Sequence, residues 1–374
     1  MNYKLLSIIA VGAMLLTAFA AVDASAEDAG FDITDDTGKT VHFDGPAEHI
    51  AVNGTGAVLT IADAGAVDKI VAVDQYSTYE RTGYEQLKDL DAINLGSFFY
   101  ETNHDFIVTS LLNLVSEGKM TVNDPVILTG FAQNAALREI LEEAGFTHVL
   151  VWMTQNITEY DDIVDFVEDL TMIATGERSE SVQQMREKIE YVSSTVSQVP
   201  DGERAKAISV WYTSSTGSLM VNNIGIAGSM LELCNADNIG YREDGGSRYG
   251  DDNTVISLLG ENPGTIIFIS DSYASSGKTA EDFRNKFLGG STDYPIVLMG
   301  ALWNNYCPES ADGLILMAEA LYPELFDAQG DDDTPSGDST SDESGSDILL
   351  WVVALIVAII IVVAAYAVFK RTHT

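Results

Sequence analysis

Residues 158–199 constrain the fold more than any other stretch, because a purely helical pattern there separates two halves that alternate strand and helix. Thr158 offers a cap with Asp161 three residues on, and Ile163, Phe166, Val167, Leu170 and Ile173 recur at spacings of three and four. That spacing gathers apolar side chains into one stripe along a helix. Gly176 interrupts the pattern, Ser179 offers a second cap, and Val182, Met185, Ile189, Val192 and Val196 continue it until Pro200-Asp201-Gly202. A helical link of this length restrains two lobes more firmly than a pair of extended strands would.

The flanking halves share one plan. Short β-branched runs at residues 50–52, 70–73, 126–128 and 149–151 precede the link, with a helix over 134–144 whose Leu137, Ile140 and Leu141 share a face before Gly145. Runs at 207–210, 266–269 and 296–298 follow it, with helices over 226–234 and 280–287. Strands alternating with helices predict parallel sheets covered on both faces. The architecture expected is therefore α/β: two doubly wound lobes, 27–157 and 200–326, a helical connector over 158–199, and a ligand cleft between the lobes.

The ends read differently. Lys4 precedes an apolar run over 5–22, and Ala24-Ser25-Ala26 supplies small residues for cleavage, so residues 1–26 read as a signal peptide. Residues 327–347 hold eight acidic side chains and no basic one, a composition that predicts an extended, disordered stalk. Residues 348–369 carry no charge and are long enough to span a bilayer. Lys370 and Arg371 follow, which places 370–374 in the cytoplasm and the body outside the cell. The expectation is a single-pass protein of the cell membrane with an extracellular, monomeric ectodomain. With no cysteine early enough for a lipid anchor, the helical tether suits a cell with one membrane, an archaeon above all.

The chain carries 57 acidic and 19 basic residues, and removing residues 1–26 and 327–374 still leaves 48 against 16. A body this acidic excludes nucleic acid as a partner and repels anionic lipid. The two cysteines, Cys234 and Cys307, are an exported pair that a disulfide would join if their positions allow. Gly54-x-Gly56 followed by Asp74 imitates a dinucleotide fingerprint, yet Leu59 replaces the third glycine. The five histidines are scattered, with no His-Glu-x-x-His and no Gly-x-Ser-x-Gly, so no catalytic residue, metal site or cofactor is predicted. Asn53-Gly54-Thr55 and Asn156-Ile157-Thr158 are glycosylation sequons.

Five phrases in order resemble the helical-backbone (class III) substrate-binding proteins of ABC importers, which take ferric siderophores, haem or vitamin B12. They are Ile33-Thr34-Asp35-Asp36-Thr37-Gly38-Lys39-Thr40-Val41, Pro46-Ala47-Glu48-His49-Ile50, and Ala64-Gly65-Ala66-Val67-Asp68-Lys69-Ile70-Val71-Ala72-Val73-Asp74. Thr175-Gly176-Glu177 in the connector comes next, then Gly228-Ser229-Met230-Leu231 with Ala236-Asp237-Asn238-Ile239. The resemblance covers about residues 31–326 and implies a binding protein, not an enzyme, with an ABC permease and its ATPase as partners. It implies a metal chelate as ligand, in the order ferric siderophore, corrinoid, haem. Loops at strand ends then line the cleft: Asn53, Thr55, Tyr76, Tyr79, Phe98 and Tyr100 from the first lobe, and Trp211, Tyr212, Arg242, Arg248, Tyr249, Tyr273 and Trp303 from the second. Lys278 joins the two arginines as a cation that would meet ligand carboxylates. Permease docking falls to Asp105 on the first lobe; on the second an ungapped match meets Ile256, so Asp251 or Asp252 would have to serve. A surface sensor or adhesion ectodomain is the competing class.

Overall fold

The computed structural model describes residues 30–326, except Gly83, Phe131 and Ala132 and the side chains of Arg81, Gln133, Asn156 and Asn304. The signal peptide, stalk, spanning segment and tail expected above lie outside the described residues. Among those described, no helix is long and apolar enough to cross a membrane.

The chain opens with an antiparallel hairpin, β1 (Phe31–Thr34) and β2 (Thr40–Phe43). The first lobe follows in alternation: β3 (Ile50–Val52), α1 (Thr55–Asp63), β4 (Ile70–Val73), α2 (Tyr79–Thr82), β5 (Ile93–Asn94), α3 (His104–Ser116), β6 (Val126–Thr129), α4 (Gln133–Glu143) and β7 (Val149–Trp152). Its five strands are all parallel, in the order β5-β4-β3-β6-β7. The chain thus winds outward from β3 first one way and then the other, which opens a crevice at the carboxyl ends of the central strands. Asp35 locks the hairpin onto this sheet. Its buried carboxylate accepts the Val151 N–H at 2.9 Å and pairs with Arg138 at 3.1 Å.

The connector is a pair of helices, α5 (Asp161–Thr175) and α6 (Glu180–Val196). Helix α5 begins at Asp161 with no side-chain cap, so Thr158 does not serve as one. Gly176 ends α5 in the left-handed region at φ 75°, and the Ser179 side chain caps α6 by accepting the Ser181 N–H. Arg186 of α6 reaches back to Asp165 at 3.2 Å and Glu168 at 2.9 Å, so the two helices fold beside one another. The stripe read from the sequence faces inward, with Ile163, Phe166, Val167, Leu170, Ile173, Val182, Met185, Val192 and Val196 buried.

The second lobe runs β8 (Lys206–Thr213), β9 (Ser218–Asn222), α7 (Ile226–Leu233), β10 (Asp237–Asn238), β11 (Arg248–Tyr249), α8 (Asp252–Glu261), β12 (Ile266–Ile269), α9 (Asp271–Ser275), α10 (Ala280–Phe287), β13 (Ile296–Leu298), α11 (Ser310–Leu321) and α12 (Pro323–Phe326). Its sheet corrects the expectation of a second all-parallel sheet. Strands β12 and β13 lie parallel to β8, but β9 returns antiparallel from the β8 hairpin and β11 pairs antiparallel with β9. Gly217, at φ 70°, makes that hairpin turn.

Three cores follow from this layering. One lies under α3 and α4 on the first sheet, and one under α8 and α10 on the second. The third is shared: residues of α1, α5, α6, α7 and α11 pack with both sheets in one continuous cluster. The lobes are therefore joined by buried apolar contact as well as by the chain.

Candidate functional site

A cavity of about 600 Å³ opens between the lobes, at the crevice that the strand order of the first sheet predicts. The first lobe supplies residues at and just past its strand ends: Asn53 to Thr55 after β3, Asp74 and Tyr76 after β4, and Thr129 at the end of β6. Asn53 is held rigidly. Its amide donates to the Thr129 carbonyl at 2.9 Å and its side-chain oxygen accepts the Thr129 N–H at 2.6 Å. Both ends of the Asn53 side-chain amide are thus engaged in a buried pair. Asp74 is buried; desolvation pushes its carboxyl up, while the Ser77 hydroxyl and the N–H groups of Gly54 and Tyr76 donate to it. The two glycines of the apparent nucleotide fingerprint also have packing tasks. Gly54 adopts φ +96° over Thr129, and Gly56 lies against the Tyr306 backbone of the other lobe.

The second lobe's wall is built on Trp211, Asn222, Arg248, Asp271, Asn305 and Tyr306. The Arg248 guanidinium stacks 3.8 Å from the centre of the Trp211 ring, a cation–π contact. Burial lowers the Arg248 pKa, and among the described residues no carboxylate pairs with it. Burial pushes the Tyr306 hydroxyl up to about 12 despite the nearby Arg248 charge. From the first lobe, Tyr84 is also pushed to about 12, by burial first and then by the charge of Asp271.

Six of the thirteen cleft residues read from the sequence line this cavity: Asn53, Thr55, Tyr76, Phe98, Trp211 and Arg248. The other seven do not. Tyr212 and Tyr273 are core residues, their rings 4.8 Å apart edge to face, because β8 extends through Thr213 and turns Tyr212 to the far side of the sheet from Trp211. Tyr249 donates to the Gly240 carbonyl at 2.7 Å beside that core, and Arg242 pairs with Asp244 at 3.0 Å. Trp303 packs over Gly313, where an added Cβ would lie 2.4 Å from its ring. Tyr79 donates to Glu85 at 3.1 Å, and Tyr100 projects outward at 57% exposure. Lys278 lies over the Tyr212 ring, outside the cavity.

Tyr84 and Asn222 are lining residues that the sequence reading missed. The Ser214-Ser215-Thr216-Gly217 turn between two β-rich runs carried the signal for the hairpin that positions Asn222. Nothing in the local sequence marks Tyr84, which reaches the cavity from a loop of short turns.

The docking acids differ in how free they are. Asp105 is exposed in the first turn of α3. Asp251 caps α8 through a reciprocal pair with Thr254, and those hydrogen bonds lower its pKa. One Asp252 oxygen accepts the Leu219 N–H at 2.6 Å. The expected disulfide is absent: Cys234 and Cys307 are free, buried thiols with separate partners, the Leu314 carbonyl for one and Glu309 for the other. Among the described residues, no cluster of three or more His, Cys, Asp or Glu is placed to hold a metal ion.

Two α/β lobes, a helical link and a cavity between them define the fold of the helix-joined periplasmic binding proteins. Particular solved structures share it. CeuE of Helicobacter pylori, in its Ni-His complex, superposes with a TM-score of 0.60 at 15% identity, covering 80% of this chain and 91% of that one. The molybdate-bound MolA of Haemophilus influenzae gives 0.58 at 16%, covering 80% and 93%. A periplasmic haem-binding protein of Pseudomonas aeruginosa gives 0.52 at 16%, covering 79% and 100%. At such identities the likeness establishes the fold. No protein-family profile matches the chain, and no curated protein does.

Proposed function

We propose that this protein is the membrane-tethered substrate-binding protein of an ABC importer, capturing a ferric siderophore outside the cell and presenting it to a permease and its ATPase. The observation that carries this reading is the interlobe cavity. Its volume lies within the roughly 300–1,000 Å³ usual for small-molecule sites. Aromatic rings on both walls, Phe98 against Trp211 and Tyr306, suit a bulky and partly apolar chelate better than a small ion. The solved relatives in fold support the class, since they are described with Ni-His, molybdate and haem. Corrinoid and haem are the alternative ligands within it.

In this reading residues 27–157 and 200–326 are the two platforms, 158–199 joins them, and 327–347 is a flexible stalk on the 348–369 helix. Asp105 and Asp251 are the docking pair we favour, because both are exposed whereas Asp252 is half-buried. The test is a fluorescence titration of residues 27–326 with a ferric siderophore, haem and a corrinoid. A ligand in the cavity quenches Trp211, so Trp211→Phe removes most of the signal and Trp303→Phe preserves it. Failure of all three ligands to bind would end the importer reading.

A further inference from the structure

We infer that the cavity selects a chelate carrying a cationic amine, with Asp271 and the Tyr84 ring receiving the ammonium group while Arg248 holds ligand oxygens on Trp211. The inference deepens the binding-protein reading above and rests on it.

Only three charged side chains line the cavity among the described residues: Asp74, Arg248 and Asp271. Asp74 is spent within its own lobe, as its hydrogen bonds from Ser77, Gly54 and Tyr76 show. Asp271 and Arg248 remain, and they do not pair with each other or with any other charge among the described residues. Asp271 begins the short helix α9, where its carboxylate accepts its own N–H and that of Ser272. These are weak compensation for a half-buried charge, and burial pushes its pKa up. A carboxylate removed from water without a countercharge is costly, and an entering cation offsets that cost.

The neighbourhood of Asp271 suits such a cation. Tyr84, from the opposite lobe, lies close enough for the Asp271 charge to raise its phenol pKa. The Asn305 amide donates to the Tyr84 oxygen at 3.3 Å and to the Ala301 carbonyl at 2.7 Å, which fixes this corner across the lobes. A carboxylate close to a tyrosine is a favourable environment for an ammonium group, which both the charge and the ring attract. The other cations that the sequence offered for an anionic ligand are engaged elsewhere, Arg242 by Asp244 and Lys278 over Tyr212. With Arg248 as the one cation on the walls among the described residues, the cavity disfavours a polyanionic chelate.

The test compares one chelate in two forms. Residues 27–326 are titrated with the ferric complex of a linear trihydroxamate ending in a primary amine, and with the same complex N-acetylated, following Trp211 quenching. A charge-assisted hydrogen bond predicts that acetylation weakens binding roughly 10- to 100-fold. Asp271→Asn abolishes that preference if the assignment holds. Equal affinity for both forms, or a preference that survives in Asp271→Asn, overturns the inference and leaves the binding-protein reading standing. If neither form binds but haem or the corrinoid does, the inference falls alone. If nothing binds, both fall.

Discussion

Gly56 is the position where one added methyl group tests how the lobes are joined. It lies in the first turn of α1, and a Cβ built on it would sit 2.6 Å from the Tyr306 backbone nitrogen and 2.9 Å from its carbonyl oxygen. Ordinary contact begins at 3.4 Å, and the obstacle is backbone of the opposite lobe, which cannot rotate away as a side-chain tip would. Gly56→Ala must therefore push α1 and the Tyr306 loop apart. Overpacking of this kind costs about 1–3 kcal/mol, and alanine's better helix propensity returns about 1 kcal/mol, so a net loss of up to about 2 kcal/mol is expected. Gly260→Ala is the reference, because Gly260 lies in α8 with nothing within 4 Å of its added Cβ. It should gain up to about 1 kcal/mol from propensity alone. Urea unfolding followed by circular dichroism should lower the Gly56→Ala midpoint at unchanged slope and raise that of Gly260→Ala. If both variants are stabilised alike, the close interlobe approach is wrong.

Two further predictions rest on buried titratable groups. Asp169 lies on α5 with Asp165 and Glu168 and faces Asp36, and burial followed by these three charges pushes its carboxyl up to about 7. Its folded pKa exceeds the unfolded value of 3.8, so the folded state holds an extra proton between about pH 4 and pH 7 and loses that advantage as pH rises. Asp169→Asn should raise the Tm more at pH 8 than at pH 5; an equal shift at both would refute the assignment. Cys234 and Cys307 should react slowly with a thiol reagent in the native protein, because burial raises both pKa values, and both should react at once in denaturant without reductant. A single reactive thiol, or none, in the unreduced denatured chain would contradict the free state.

The sequence displayed the fold more fully than the site, and for a physical reason. Strands such as Ile70–Val73 and Ile266–Ile269 are buried and β-branched, so a local run announces them. The stripe from Ile163 to Val196 is likewise a local periodicity. The antiparallel β9 has no such run: Ser218–Asn222 alternates between buried and half-buried positions, and its partner β8 outlasts the apolar stretch at 207–210. That one hairpin decides which way Trp211 and Tyr212 point, and adjacent strand residues face opposite sides. Reading both as loop residues therefore could not separate Trp211, which lines the cavity, from Tyr212, which packs in the core. Tyr84 and Asp271 meet only because two lobes meet, a juxtaposition that no local pattern encodes.

The same junction bears on how the cavity would select the ligand proposed above. Besides the Gly56 approach, the Tyr160 and Ser310 hydroxyls share a buried hydrogen bond at 2.6 Å, and the Gly225 N–H donates to the Ile157 carbonyl at 2.7 Å. Lys188 of α6 pairs with Asp312 of α11, and the shared core runs beneath all of these. Wide opening would expose that core and leave the Tyr160 hydroxyl without its partner, so large hinge motion is costly. A cavity held at nearly fixed width requires little ordering when ligand enters, which favours affinity. It also gives up the selectivity that closure around a ligand can supply. Discrimination must then lie in what the walls already present, and between Arg248 on Trp211 and Asp271 beside Tyr84 the walls present one charge of each sign. On the reading proposed above, a chelate with the wrong charge at the Asp271 end would gain little from closure of the lobes.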